Sequence, residues 1–189
     1  MEVIYEKLGT EGYRSVGKKS DWDAARDKLY HNWKENPHDL KVFLKLSFLC
    51  WYLVVEWGVE NTSKVQESDH DDYKELLQEL YHYGIIHFKE DAFFNAVFGF
   101  MIELFPEYFG EDYDKTKEFG ESLINKSFNL NKEDPFIELI YLSGRTPSRN
   151  PAYSNAVEKH FTTVKNSLKG TGVFQEYFSY MLLPNGNQL

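Results

Sequence analysis

The chain has 189 residues, enough for one domain that buries roughly 70% of the surface its unfolded form would expose. Thirty acidic residues against 21 basic ones give a formal charge of -9, which repels phosphate backbones, disfavours direct nucleic-acid binding and favours basic protein partners. Aromatic residues make up 17% of the chain, with 15 Phe, 13 Tyr and 4 Trp, so rings are expected at a surface as well as in the core.

Residues 1–19 mix Gly9, Gly12 and Gly17 with a short alternation at Val3 and Tyr5 and lack a helical period, so they read as an irregular arm ahead of a single domain over 20–189. Ser20 or Asp21 is placed to cap a first helix, whose stripe is Trp22, Ala25, Leu29 and Trp33. Asp39 to about Trp57 predicts a second helix, apolar around most of its circumference and therefore the most buried, with Gly58 as its stop. The polar stretch from Glu60 to Asp72 predicts a loop and the most mobile segment.

Tyr73, Leu76, Leu77, Leu80, Gly84, Ile85 and Phe88 mark a third helix, and Phe94, Val97, Phe98, Met101 and Ile102 a fourth that Pro106 closes. A fifth carries Tyr113, Thr116, Gly120, Leu123, Ile124, Ser127 and Phe128 on one face, with small residues that let a neighbour approach closely. A short sixth runs from Phe136 to Leu142 before a Pro-rich loop, a seventh from Ser154 to Lys169, and an eighth from about Phe174 to Leu182. Three similar phrases, Lys34-Glu35-Asn36-Pro37, Lys89-Glu90-Asp91-Ala92 and Lys132-Glu133-Asp134-Pro135, each place an Asn or Asp cap before an apolar run. The expected class is all-α, an irregular array of about eight helices in antiparallel hairpins.

No basic-then-apolar leader pattern opens the sequence, and the longest apolar run, Phe48 to Val55, is too short to span a bilayer, so a cytoplasmic location is expected. Chemistry-bearing groups are sparse. The single Cys50, flanked by Leu49 and Trp51, reads as a small buried hydrophobe rather than a nucleophile. Ser68-Asp69-His70-Asp71-Asp72 lacks the glycine and spaced oxygens of a calcium loop and suits a helix N-terminus instead. His82 and His87 are five apart, and His31 and His38 straddle a proline, so neither pair has the i, i+4 spacing that shares a metal on one helix. Glu75 and Glu79 lie one helical turn apart and read as a wet face, not as a pair flanking a cleft. Neither a catalytic set, a cofactor site nor a metal site is expected.

What remains is a composite surface. Glu56, Glu60, Glu67, Asp69, Asp71 and Asp72 surround one loop, and Glu107, Glu111, Asp112 and Asp114 surround the turn after Pro106. If the hairpins stack, these acids rim one end of the array, with Trp57, Tyr81 or Tyr108 as aromatic anchors for a partner. The bland alternative is that the acids keep a ring-rich protein soluble.

The segment from Trp22 to Pro37 resembles the second helix of a tetratricopeptide repeat running into its terminal proline, with Ala25 at the family's alanine position. Phe43, Leu46, Ser47 and Cys50 continue it in the large, large, small, medium pattern of the next repeat's first helix, whereas Asn32, and Leu123 and Leu142-Ser143 around Pro135, depart from the pattern. The resemblance implies stacked helical hairpins and a protein-binding adaptor. In general character, an irregular acidic helical array is also similar to immunity proteins of bacterial toxin systems, including those of contact-dependent growth inhibition. That likeness implies stoichiometric neutralisation of a basic toxin domain, such as a nuclease, whose substrate groove an acidic surface would fill.

Overall fold

The computed structural model describes residues 19–56, 67–144, 150–169 and 172–183. Within them are eight α-helices: α1 (Lys19–Glu35), α2 (Leu40–Val55), α3 (Glu67–His87), α4 (Ala92–Leu104), α5 (Tyr113–Leu130), α6 (Pro135–Ser143), α7 (Pro151–Ser167) and α8 (Val173–Leu182). A 3-10 turn, Pro106–Tyr108, follows α4, and no strand occurs among the described residues. The fold is all-α, as expected. Of the expected arm over 1–19, Lys19 is already helical and the rest lies outside the described residues, as does Gly58.

Several boundaries move for identifiable reasons. Helix α3 opens at Glu67, so the stretch 67–72, expected as loop, forms its first turns, where acids complement the positive end of the helix dipole. Helix α7 opens at Pro151 rather than Ser154, because Asn150 accepts from the Ala152 N–H at 3.1 Å and proline fits the first helical position. The second helix is capped by Asp39, not Asn36. Asp39 Oδ1 accepts from the N–H groups of Lys41 and Val42 at 3.0 and 3.1 Å.

Asp91 serves Phe93 and Phe94 in the same way at 2.8 and 2.9 Å, and Asp134 serves Phe136 and Ile137 at 3.0 and 3.1 Å. Each capping aspartate also donates its own N–H to the carbonyl three residues back, at Asn36, Phe88 and Asn131. The three junctions are thus one device used three times: a helix stops, the chain turns in three residues, and an aspartate holds two free N–H groups of the next helix.

Helix α4, rather than α2, is the most completely enclosed element, since every residue from Phe93 to Ile102 is buried. Phe98 stacks on Phe43 of α2 with ring centres 5.7 Å apart, and Phe93 meets Phe136 of α6 at 5.1 Å. Phe100 meets Phe178 of α8 at 5.0 Å. On the remaining side α5 comes into near contact with the α4 backbone. A Cβ on Gly99 would lie 2.9 Å from the Gly120 carbonyl oxygen, and one on Gly120 would lie 2.8 Å from the Glu103 nitrogen. The small-residue face expected on α5 therefore has its counterpart on α4, while Tyr113, assigned to that face, is 53% exposed at the helix start.

Consecutive helices pack as α1 on α2, α2 on α3, α4 on α5 and α6 on α7, the hairpin pattern of an array. The chain does not end as an open one. Helix α8 returns to α2, where Phe178 and Tyr177 sit 5.3 and 5.5 Å from Phe48. Tyr177 also meets Trp51 edge-on at 5.4 Å. In a solenoid each repeat touches only its neighbours, so this return closes the helices around a common interior.

The α4–α5 crossing makes a prediction of unusual sign. Glycine to alanine inside an exposed helix gains up to about 1 kcal/mol, but Gly99→Ala and Gly120→Ala are each expected to lose about 1–3 kcal/mol through overpacking. Urea unfolding of the two variants measures this, and a stabilised variant would refute the close crossing.

Candidate protein-binding surface

The rotation of α3 is set by its buried stripe, Tyr73, Leu77, Leu80 and Gly84, which packs toward α2 and, at Gly84, meets Phe94 of α4. A Cβ at Gly84 would fall 2.5 Å from a Phe94 ring carbon and 2.8 Å from Phe43 Cζ, so α3 lies against those rings. The opposite face then carries Asp71, Asp72, Glu75 and Glu79, all exposed. Glu75 and Glu79 do form the wet face expected of them, and they extend the acids of the helix start by two further turns.

Between α1 and α3 runs a groove of about 520 Å³ lined by Arg26, Asp27, Tyr30, Asp72, Glu75, Leu76 and Glu79. Arg26 does not neutralise it fully. Its guanidinium is held by Asp27 at 2.9 Å and Asp23 at 3.6 Å and lies 5.0 Å over the Tyr73 ring. The Tyr73 hydroxyl donates to Asp23 at 2.8 Å; burial first, and then that carboxylate, push its pKa upward. Lys34 reaches across to Glu79 at 2.8 Å, and this hydrogen bond raises the lysine pKa. The Asp72 and Glu75 carboxylates form no hydrogen bond or ion pair among the described residues.

The second acidic stretch meets the middle of α3. The Gln78 side-chain amide donates to the Tyr108 carbonyl, and Tyr81 packs edge-on against Phe109 at 5.4 Å. Glu107, Glu111, Asp112 and Asp114 are all exposed on this flank. Asp112 is also the α5 cap, accepting from the Lys115 N–H at 3.2 Å and pairing with its ammonium at 2.8 Å; these bonds hold its pKa below the usual carboxylate range. Tyr81 and Tyr108 are half-buried, and burial pushes both phenols upward.

Asp71 and Asp72 stand on the exposed face of α3, and the turn that leads to Glu107, Glu111, Asp112 and Asp114 packs on the same helix through Gln78 and Tyr81. Glu67 and Asp69 lie in the first turn of α3, whereas Trp57 and Glu60 fall outside the described residues. Glu56 ends α2, and its charge acts on Tyr177 of α8, whose pKa is pushed up to about 12 chiefly by burial. What the sequence reading missed is the contribution of α1: the Asp23, Asp27 and Arg26 cluster faces α3, and its only signal was an acid on each side of an arginine.

A smaller recess of about 100 Å³, lined by Glu103, Glu121, Asn125 and Tyr141 among others, sits where α4, α5 and α6 meet. Among the described residues no group of three or more His, Cys, Asp and Glu side chains is arranged to hold a metal ion. No helix there is long and apolar enough to cross a membrane. Cys50 is fully enclosed, and burial pushes its thiol from 9.0 up to about 12. Comparison with protein-family models, with curated proteins and with solved structures finds no match to this chain.

The buried thiol gives a pH-dependence. Its folded pKa lies above its unfolded one, so its contribution to stability is complete below about pH 9 and is lost as pH rises toward about 12. The loss amounts to about 1.4 kcal/mol per pH unit in that window. Denaturant unfolding at pH 8 and pH 10.5 should show a shallower alkaline decline for Cys50→Ala than for the parent, whatever the offset at pH 8. Parallel declines would mean that the thiol ionises freely in the folded state.

Proposed function

We propose that the protein acts in the cytoplasm by stoichiometric binding of a basic protein domain, as an immunity protein neutralising a toxin such as a nuclease. The observation that carries this reading is the exposed acidic face of α3, Asp71, Asp72, Glu75 and Glu79, in which the Asp72 and Glu75 carboxylates pair with no cation among the described residues. Such a surface attracts Lys- and Arg-rich faces from a distance and competes with phosphate for them. Tyr30 and Leu76 in the adjoining groove provide the apolar contact that a bound partner needs beyond charge. Work of this kind is binding, with no chemical step.

The second reading is an adaptor of the tetratricopeptide kind that takes peptides from several partners. Its support is the hairpin packing of consecutive helices. The return of α8 onto α2 weighs against it, because peptide grooves of that family depend on an open stack.

The test begins with the protein as bait in lysate of its source cells, washed at low and then high salt, and continues with kinetics on the partner retained. One basic partner bound one to one and functionally neutralised is the expected result. The double variant Asp72→Lys, Glu75→Lys should slow association at least tenfold at low salt with little change in stability, and the difference should shrink as salt rises. Many weak partners, or unchanged association for the charge-reversed variant, would sink this reading.

A further inference from the structure

Of the six histidines in the chain, four are committed to other groups. His31 pairs with Glu35, His70 with Asp71, His82 with the Gln78 carbonyl and His160 with Glu138. The remaining two, His38 and His87, are exposed, and their imidazoles make no hydrogen bond or ion pair among the described residues. They are 49 residues apart in sequence, counting from 38 to 87. The fold nevertheless brings their ring centres to 5.6 Å, with the planes at 72°.

Each sits on a constrained support. His38 belongs to the tight turn between α1 and α2, which the Asp39 N–H closes onto the Asn36 carbonyl at 3.0 Å. His87 is the last residue of α3, and its ring is stacked on Tyr83 at 4.1 Å. Tyr83 in turn meets Trp33 edge-on at 5.3 Å, so the shelf beneath His87 is anchored in the core.

We propose that His38 and His87 form a two-imidazole site for a divalent transition ion such as Zn²⁺. Two imidazole nitrogens at the usual ~2.0–2.1 Å from one zinc place their ring centres roughly 5 Å apart. The observed separation therefore needs only a small closure, and rotation about the soft terminal torsion of each histidine turns a nitrogen of each ring toward a common point. Imidazole ligands select zinc, copper or nickel over magnesium or calcium, which prefer oxygen. With two protein ligands the ion keeps water in its other positions, so it exchanges readily and acts as a clasp between the α1–α2 turn and the end of α3. The site is independent of the acidic face, although it lies on the same helix.

The test is a Zn²⁺ titration of the intact chain at neutral pH, followed through the histidine ring resonances and in parallel by calorimetry. The His38 and His87 resonances should move together and saturate at one ion per chain. His38→Ala and His87→Ala should each weaken binding at least tenfold, while His31→Ala and His82→Ala leave it unchanged. Both positions are exposed, so the variants should keep the parent's far-ultraviolet circular dichroism. The proposal is overturned if zinc moves the other histidines first, if either pair variant binds as the parent does, or if no binding is detected.

Discussion

A helix with no wet face must be covered on every side, and α4 is such a helix. From Phe93 to Ile102 it offers nothing to water, so the other elements are arranged by what each of its faces will accept. The flat side made by Gly99 accepts the α5 backbone, and the rings Phe94 and Phe98 accept α2 and the glycine of α3. Phe93 and Phe100 take rings from α6 and α8. The polar exceptions inside are few: Asn95, wholly buried, gives its amide to the carbonyls of Lys89 and Asp91 and so ties the helix to its own entry turn.

This enclosure reaches the surface through α3. Gly84 fits only against Phe43 and Phe94, and the stripe from Tyr73 to Leu80 fixes the remaining degree of rotation. Once those contacts are made, Asp71, Asp72, Glu75 and Glu79 have no choice of direction. The 3-10 turn Pro106–Tyr108 is then locked to the same helix by Gln78 and Tyr81. The acidic face is thus a by-product of core geometry, held in place by the side chains on the buried side of the helix.

Much of this was legible beforehand, and the limits have physical causes. Helix starts could be read because an aspartate before an apolar run makes its own cap, as at Asp91 and Asp134; at the first junction Asn36 and Asp39 both looked like caps, because Asn36-Pro37 imitates the same signal. The turns of α3 from Glu67 to Asp72 looked like loop because a helix start needs no apolar residue, only acceptors and negative charge. The closure by α8 was not readable at all. Periodicity says that Phe174 and Phe178 share a face; it does not say that the face will meet Phe48 and Phe136, a long way back along the chain. Gly99 escaped notice for a similar reason, since a glycine amid phenylalanines shows its purpose only when Gly120 arrives opposite.

The late return of α8 also orders events in time. While the chain is being synthesised, α2 and α4 are complete long before Phe174 and Phe178 exist, so Phe48, Trp51 and Phe100 wait without their cover. Contacts between segments so distant are slow to close and leave apolar surface open to wrong associations in the interval. In a protein arranged in this way the cover over those rings is among the last contacts that can form, and until α8 emerges they are open to any other apolar surface.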